Sequence, residues 1–248
     1  MQKPNLVNSL RMALGFLTVL PVPQRTEWSD PDFGFSAVFY PLAGVLIGAL
    51  AGGSFLLLKA VFPLPIAALL SLVVWIMLSG ALHWDGLADC MDGFGCSAAP
   101  EKRLEIMKDP KLGTFGALGL FTALLLKWLC IWQFPAGREL LYFALSAATA
   151  RWAMLLLIGL PLANPNGMAA MLKKNCPKHV VLYAIPVPLI LAIISGLTGL
   201  CALLLSAAAA SALGLLAKRK IGGINGDVLG FSIELSEIVL LLAAQVLP

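Results

Sequence analysis

The chain has 248 residues, of which 60% are apolar and 12% charged; its formal net charge is +4 and its mean hydropathy +0.91. Soluble domains carry about 25% charged and roughly 45–50% apolar residues, so a soluble globular chain and a disordered one are both excluded. A margin of 17 basic over 13 acidic residues is too small to indicate nucleic-acid binding. What fits is an all-α, polytopic integral membrane protein, because apolar runs of about 18 residues or more recur. A membrane β-barrel would show alternating segments of about ten residues instead.

In chain order, Leu6–Val22 is short, carries Arg11 and ends in Pro21-Val22-Pro23. It is expected to be an interfacial or re-entrant helix, with a spanning helix as the alternative. No A-x-A site follows it, so a cleavable signal peptide is not expected. Tyr40–Phe62 is apolar except for Lys59, and Leu64–Leu82 is uncharged. Phe115–Phe134 contains only Lys127, and Leu140–Leu160 only Arg151. Val180–Ala217 has no charge over 38 residues, enough for two spans around a turn at Gly196–Gly199. Val228–Pro248 is the last run and carries Glu234 and Glu237. The expectation is about seven transmembrane helices plus the N-terminal helix, forming a single membrane-embedded domain over residues 1–248. Cys90, Cys96, Cys130, Cys176 and Cys201 show neither CxxC nor zinc spacing, so no disulfide framework is expected.

Seven spans sort the loops onto two sides. Residues 1–39, 83–114, 161–179 and 218–227 share one side. It holds Lys3, Arg11, Arg25, Lys102, Arg103, Lys108, Lys111, Lys173, Lys174, Lys178, Lys218, Arg219 and Lys220, thirteen of the 17 basic residues. The positive-inside rule places that side in the cytoplasm. The acidic residues gather there too, which a positive-inside bias alone does not explain. A site for a polar ligand on the cytoplasmic face does.

Three stretches carry the chemistry. The first is His83-Trp84-Asp85-Gly86-Leu87-Ala88-Asp89-Cys90-Met91-Asp92-Gly93. Asp85, Asp89 and Asp92 are spaced i, i+4, i+7 and fall within about 60° of one helical face. Carboxylates that close repel one another unless a cation lies between them. Mg²⁺ is typically shared between one or two carboxylates and substrate phosphates. His83 beside them is a candidate general base or a support for a metal ligand. A solvated acidic face is the bland alternative, but Leu87, Ala88, Met91 and Phe94 do not suit one.

The second stretch runs from Glu101 to Gly116. Lys102, Arg103, Lys108 and Lys111 frame a loop ending in Gly113-Thr114-Phe115-Gly116, a setting suited to a diphosphate; ordinary positive-inside charge is the alternative. Asp109 is either a further ligand or a turn residue before Pro110. The third is Gly222-Gly223-Ile224-Asn225-Gly226-Asp227, followed by Glu234 and Glu237. Asp227 and Glu234 share a face, and intramembrane acids are functional by default. They complete a metal site, take a proton, or pair with Arg151 or Lys127. Arg151, mid-span, needs an anion or an acidic partner. Asn164-Pro165-Asn166-Gly167 is a turn whose amides are available to a base or ribose.

The segments HWDGLADCMDGFG, RLEIMKDPKLGTFG and GGINGDVLGFSIELSE, with the opening Phe16–Pro23, resemble the cobalamin synthase family, the adenosylcobinamide-GDP ribazoletransferases. The resemblance runs in order over most of the chain. It implies a multi-pass enzyme of the inner (cytoplasmic) membrane, acting late in cobalamin biosynthesis with its site facing the cytoplasm. Such enzymes join adenosylcobinamide-GDP to α-ribazole, or its 5′-phosphate, release GMP and use Mg²⁺. On that resemblance Asp85, Asp89 and Asp92 hold the metal, and Asp227 and Glu234 complete a second metal or orient water. Arg103, Lys108 and Lys111, with Thr114 and Arg151, bind the diphosphate. His83, Asp85 or Asp89 takes the hydroxyl proton. The bilayer is a partner, nucleic acid is not, and a homo-oligomer is left open.

Two other classes compete. A CDP-alcohol phosphotransferase also uses spaced aspartates at the membrane face, but its signature continues with arginine, and here Cys90 follows Asp89. A secondary transporter predicts midplane acids in broken helices and an internal repeat; no repeat is evident.

Overall fold

A computed structural model describes residues 4–23 and 29–247. Lys3 and Arg25, counted above with the basic side, lie outside the described residues, as does Pro248 at the end of the last expected span. The helices are α1 (Leu6–Leu17), α2 (Asp30–Ser36), α3 (Tyr40–Leu58), α4 (Leu64–Leu78), α5 (Leu82–Gly95), α6 (Pro100–Ile106) and α7 (Thr114–Trp132). They continue with α8 (Glu139–Ala153), α9 (Met168–Asn175), α10 (Val180–Ala184), α11 (Pro186–Ile194), α12 (Gly196–Ile221) and α13 (Gly226–Val246). Among the described residues there is no strand, only an isolated parallel bridge between Leu162 and Ile224. The fold is all-α, as its apolar runs require.

The centre of the bundle is α8, buried on every side. Its closest partner is α3, which runs antiparallel to it. Gly44, Gly48 and Gly52 recur every fourth residue and form one smooth stripe on α3. A side chain at Gly44 or Gly48 would overlap the α8 backbone at Ala147 or Phe143, and one at Gly52 would come within 3.0 Å of the Leu140 side chain. In lipid, where apolar surface alone does not drive helix pairing, such small-residue stripes let backbones approach closely. Trp75 and Phe55 then pack on Phe143.

Among the described residues four segments are long and apolar enough to cross a membrane: Asp30–Leu58, Thr114–Trp132, Glu139–Gly159 and Gly196–Ile221. α4 and α5 make a fifth only if a 91° bend is ignored. This is a polytopic membrane protein; the expected count of about seven spans is not confirmed. Pro186 divides the first half of Val180–Ala217 into the short helices α10 and α11. α4 has 15 residues, about 22 Å long, against a hydrocarbon core of about 30 Å. α1 is a shorter apolar helix of only 12 residues, about 18 Å long.

The bend between α4 and α5 positions the site. Gly80 and Ala81 both adopt left-handed backbone, with φ of +61° and 56°, at a cost of roughly 1 kcal/mol for Ala81. Trp84 and Asp85 then donate their backbone N–H groups to the Ala81 carbonyl, 3.0 and 3.1 Å away, and begin α5 at right angles to α4. So α5 does not continue the crossing. It lies across one end of the bundle, near the C-terminal end of α8. The opposite end of the α3–α8 pair carries the ion pair Lys59–Glu139.

Candidate active site

α5 and α13 cross in close contact. Gly86 stands at the crossing, where a Cβ would lie 2.7 Å from the Asp227 carbonyl oxygen. Any larger residue would push the helices apart. Asp85 precedes this glycine and Asp89 follows it by less than a turn, so both are brought against Asp227 in the first turn of α13. Asn225 fixes that turn. Its side-chain oxygen accepts from the Val228 N–H at 3.0 Å, and its amide donates to the Asp227 carboxylate at 2.7 Å.

Among the described residues none of Asp85, Asp89 and Asp227 forms an ion pair. Their mutual repulsion shows in Asp89. Burial first, and then Asp85, Asp227 and Asp92, push its carboxyl from 3.8 up to about 7. Lys108 is a cation within electrostatic reach of Asp227. Among the described residues no three His, Cys, Asp or Glu side chains are drawn together tightly enough to enclose an ion by themselves.

Asp92 does not join this group. Its two carboxylate oxygens accept from the backbone N–H groups of Gly113 and Gly116, each at 2.8 Å. Both donors belong to the first turn of α7, where amides have no intrahelical partner. A side chain at Gly113 or Gly116 would collide with the Asp92 carboxylate. In this structure Asp92, expected as a metal ligand, caps α7, and Gly113 and Gly116 at the start of that helix make room for it.

Arg103, expected at the diphosphate, is also engaged within the fold. Its guanidinium donates to the carbonyls of Ala98, Gly93 and Phe94 at 2.8, 2.9 and 3.0 Å, closing the C-terminus of α5, and is buried. Lys220 adds a bond to Phe94 at 3.1 Å. Arg103 is therefore committed to carbonyl oxygens rather than held free for a diphosphate. Asp109 accepts from the Lys111 N–H at 3.0 Å and is a turn residue. Lys111 and Thr114 are exposed and line neither cavity described below.

Glu234 and Arg151 lie in a buried network of their own. The Lys127 ammonium donates to both Glu234 and Glu237. Arg151 donates to Glu237 at 2.6 Å and to the Ala147 carbonyl at 2.9 Å. Lys127 also sits 5.1 and 5.2 Å from the ring centres of Trp75 and Trp84. Two cations and two anions cancel, as charges away from water must. Of the alternatives open in the sequence, the structure shows pairing: Glu234 and Glu237 with Lys127, and Glu237 with Arg151. His83 borders the network with Nδ1 3.9 Å from Glu234 Oε1, and that nitrogen makes no hydrogen bond.

Two cavities meet at Asp227. One, of about 230 Å³, is apolar, with Phe16, Phe33, Met154 and Leu172 among its walls and His83 and Asp85 as polar groups beside Asp227. The other, of about 400 Å³, is more polar and lined by Lys108, Asn164 and Asn225. Met168, Gly226 and Asp227 border both. Of the residues the sequence motifs single out, Asp227 borders both cavities and Lys108 the polar one. The motifs did not single out Asn225, Phe33 or Leu172, whose only sequence signal is ordinary cap or core character. An arrangement of this kind can hold two ligands whose reacting ends face one group of carboxylates.

A family model described as cobalamin-5-phosphate synthase matches residues 9–245. The chain is 36% identical over 239 residues to an adenosylcobinamide-GDP ribazoletransferase of Escherichia coli O17:K52:H18 (strain UMN026 / ExPEC), covering 93% of this chain and 96% of that one. It is 35% identical, with the same coverage, to the protein of that name from Escherichia coli strain K12. No solved structure matches.

Proposed function

This chain belongs to the cobalamin-5-phosphate synthase family, and from that premise we propose that it joins adenosylcobinamide-GDP to α-ribazole, or to its 5′-phosphate, with release of GMP. The observation that carries this reading is the pair of cavities meeting at Asp227 beside Asp85 and Asp89. A transfer between two large substrates needs two berths and one reacting point between them. Neither a lipid-alcohol acceptor nor a transported solute accounts for that pairing as well.

The reaction is attack of a ribazole hydroxyl on a phosphorus of the diphosphate, with GMP leaving. Catalysis of such a step is mainly alignment and charge neutralisation. Lys108, in the polar cavity, binds the diphosphate and faces the charge that grows on the leaving phosphate. Asp85, at the edge of the apolar cavity, accepts the hydroxyl proton. Asn225 holds Asp227 in place. The three unpaired carboxylates are hard oxygen donors with surplus negative charge, which fits Mg²⁺ shared with a phosphate. Asp85, Asp89 and Asp227 would hold it, and when bound it neutralises phosphate charge and polarises the reacting phosphorus. The whole chain acts as one catalytic domain in the cytoplasmic (inner) membrane, with the site on the cytoplasmic side, where the positive-inside rule puts the basic loops.

The test is GMP release by the purified protein in proteoliposomes supplied with both substrates and Mg²⁺. Release that depends on α-ribazole, is lost in Asp85→Ala, and needs more adenosylcobinamide-GDP in Lys108→Gln supports the reading. Release from CDP-diacylglycerol instead, or full ribazole transfer by Asp85→Ala, would overturn it.

A further inference from the structure

We infer that the apolar cavity is the berth of the acceptor's aromatic base, with His83 as its one hydrogen-bonding contact to the ring; this rests on the ribazole-transfer reading above. The walls suit a flat apolar ring. Phe16 and Phe33 meet edge to face with ring centres 6.3 Å apart. Met154, Leu172, Leu229 and Ile233 close the remaining sides and are themselves buried. Soft methionine and aromatic walls favour stacking on a π-face. A volume of about 230 Å³ accepts a fused bicyclic base and excludes a corrin macrocycle.

The polar groups are arranged for the same ligand. His83 is 3% exposed and lines this cavity, and its Nδ1 lies on the Glu234 side, 3.9 Å from Oε1. That leaves the other ring nitrogen for a ligand, and a buried imidazole with spare hydrogen-bonding capacity is costly unless a ligand group meets it. The unsubstituted ring nitrogen of a benzimidazole is such a group. With the base against His83, the attached ribose is directed to the Asp85–Asp227 edge. There the apolar cavity opens on the polar one that holds Lys108. The attacking hydroxyl then arrives from one cavity and the phosphorus from the other. The cavity thereby sets which base is accepted.

The experiment compares α-ribazole with its analogue lacking the two ring methyl groups. The wild-type protein, Leu172→Phe and Leu172→Ala are assayed in proteoliposomes with saturating adenosylcobinamide-GDP. Leu172→Phe narrows the berth. It is expected to raise KM for α-ribazole about tenfold, to raise it less for the smaller analogue, and to leave KM for adenosylcobinamide-GDP within about twofold. Leu172→Ala widens the berth and is expected to flatten the discrimination between the two bases, which keeps the test intact if the larger residue impairs folding. In addition, α-ribazole alone raises the unfolding temperature of the wild type more than that of Leu172→Phe. Unchanged acceptor KM in both variants, or a shift in KM for adenosylcobinamide-GDP instead, overturns the assignment. Absence of GMP release from wild-type protein with any acceptor overturns the underlying reaction and not merely the berth.

Discussion

Replacing Asp92 with alanine separates a structural carboxylate from a cation-binding one. The substitution removes two charge-assisted hydrogen bonds of 2.8 Å and strands the N–H groups of Gly113 and Gly116 beneath α5. Hydrogen bonds to charged groups contribute about 1.5–3 kcal/mol each. Both bonds are only partly buried, so a combined loss of about 2–4 kcal/mol is the reasonable size. In a chain of this length that corresponds to a fall in unfolding temperature of about 5–10 °C. Asp85→Ala should do the reverse, since it removes a like charge from beside Asp89. Its unfolding temperature in EDTA should hold or rise. Thermal unfolding of the detergent-purified protein with and without Mg²⁺ reads both effects. Asp92→Ala should be less stable in EDTA yet keep its gain on adding Mg²⁺; Asp85→Ala should lose that gain. The opposite pattern, with Asp92→Ala normally stable and blind to Mg²⁺, would refute the capping role.

Four further outcomes are expected. In the unfolded chain Asp89 titrates near 3.8 and in the fold near 7, so the folded state binds the extra proton between those values. Stability of the cation-free protein should therefore fall as pH rises through that window, while stabilisation by Mg²⁺ grows; unfolding temperatures across pH 4–8 check it. Lys127→Met leaves Glu234 and Glu237 without their shared ammonium and should cost about 3–5 kcal/mol. Adding Glu234→Gln should recover part of that, judged by the yield of monodisperse protein. Gly48→Leu drives a side chain into the α8 backbone at Phe143 and should abolish recovery of folded protein by size-exclusion chromatography. Arg103→Lys should lower the unfolding temperature by uncapping α5 while leaving KM for adenosylcobinamide-GDP near the wild-type value, an outcome incompatible with a diphosphate role.

The acidic face was legible because a helical period is a property of sequence: Asp85 and Asp89 do face one neighbour. Spacing could not tell that Asp92, at the other edge of that 60° arc, faces a different one. Its role is set by where the first turn of α7 lies, which is a tertiary fact. Arg103 reads as a phosphate ligand in isolation because carbonyl oxygens at a helix end and phosphate oxygens ask for the same donor. Span counting at Val180–Ala217 is limited for another reason. Hydropathy measures whether a segment tolerates lipid, whereas Pro186 and the Gly80–Ala81 bend decide whether it stays a single rod. The Gly44–Gly48–Gly52 stripe was present in the letters all along, but only the partner helix shows that it holds the centre together.

The neutral cluster of Lys127, Arg151, Glu234 and Glu237 also bears on how the protein is made. Its cations come from α7 and α8, and both anions come from α13, which follows them in the chain. During synthesis the earlier helices reach the bilayer with uncompensated positive charge at membrane depth, a state lipid penalises by a few kcal/mol per charge. They become comfortable only when α13 is delivered. A chain interrupted before α13 would expose two bare cations to lipid or to the insertion machinery.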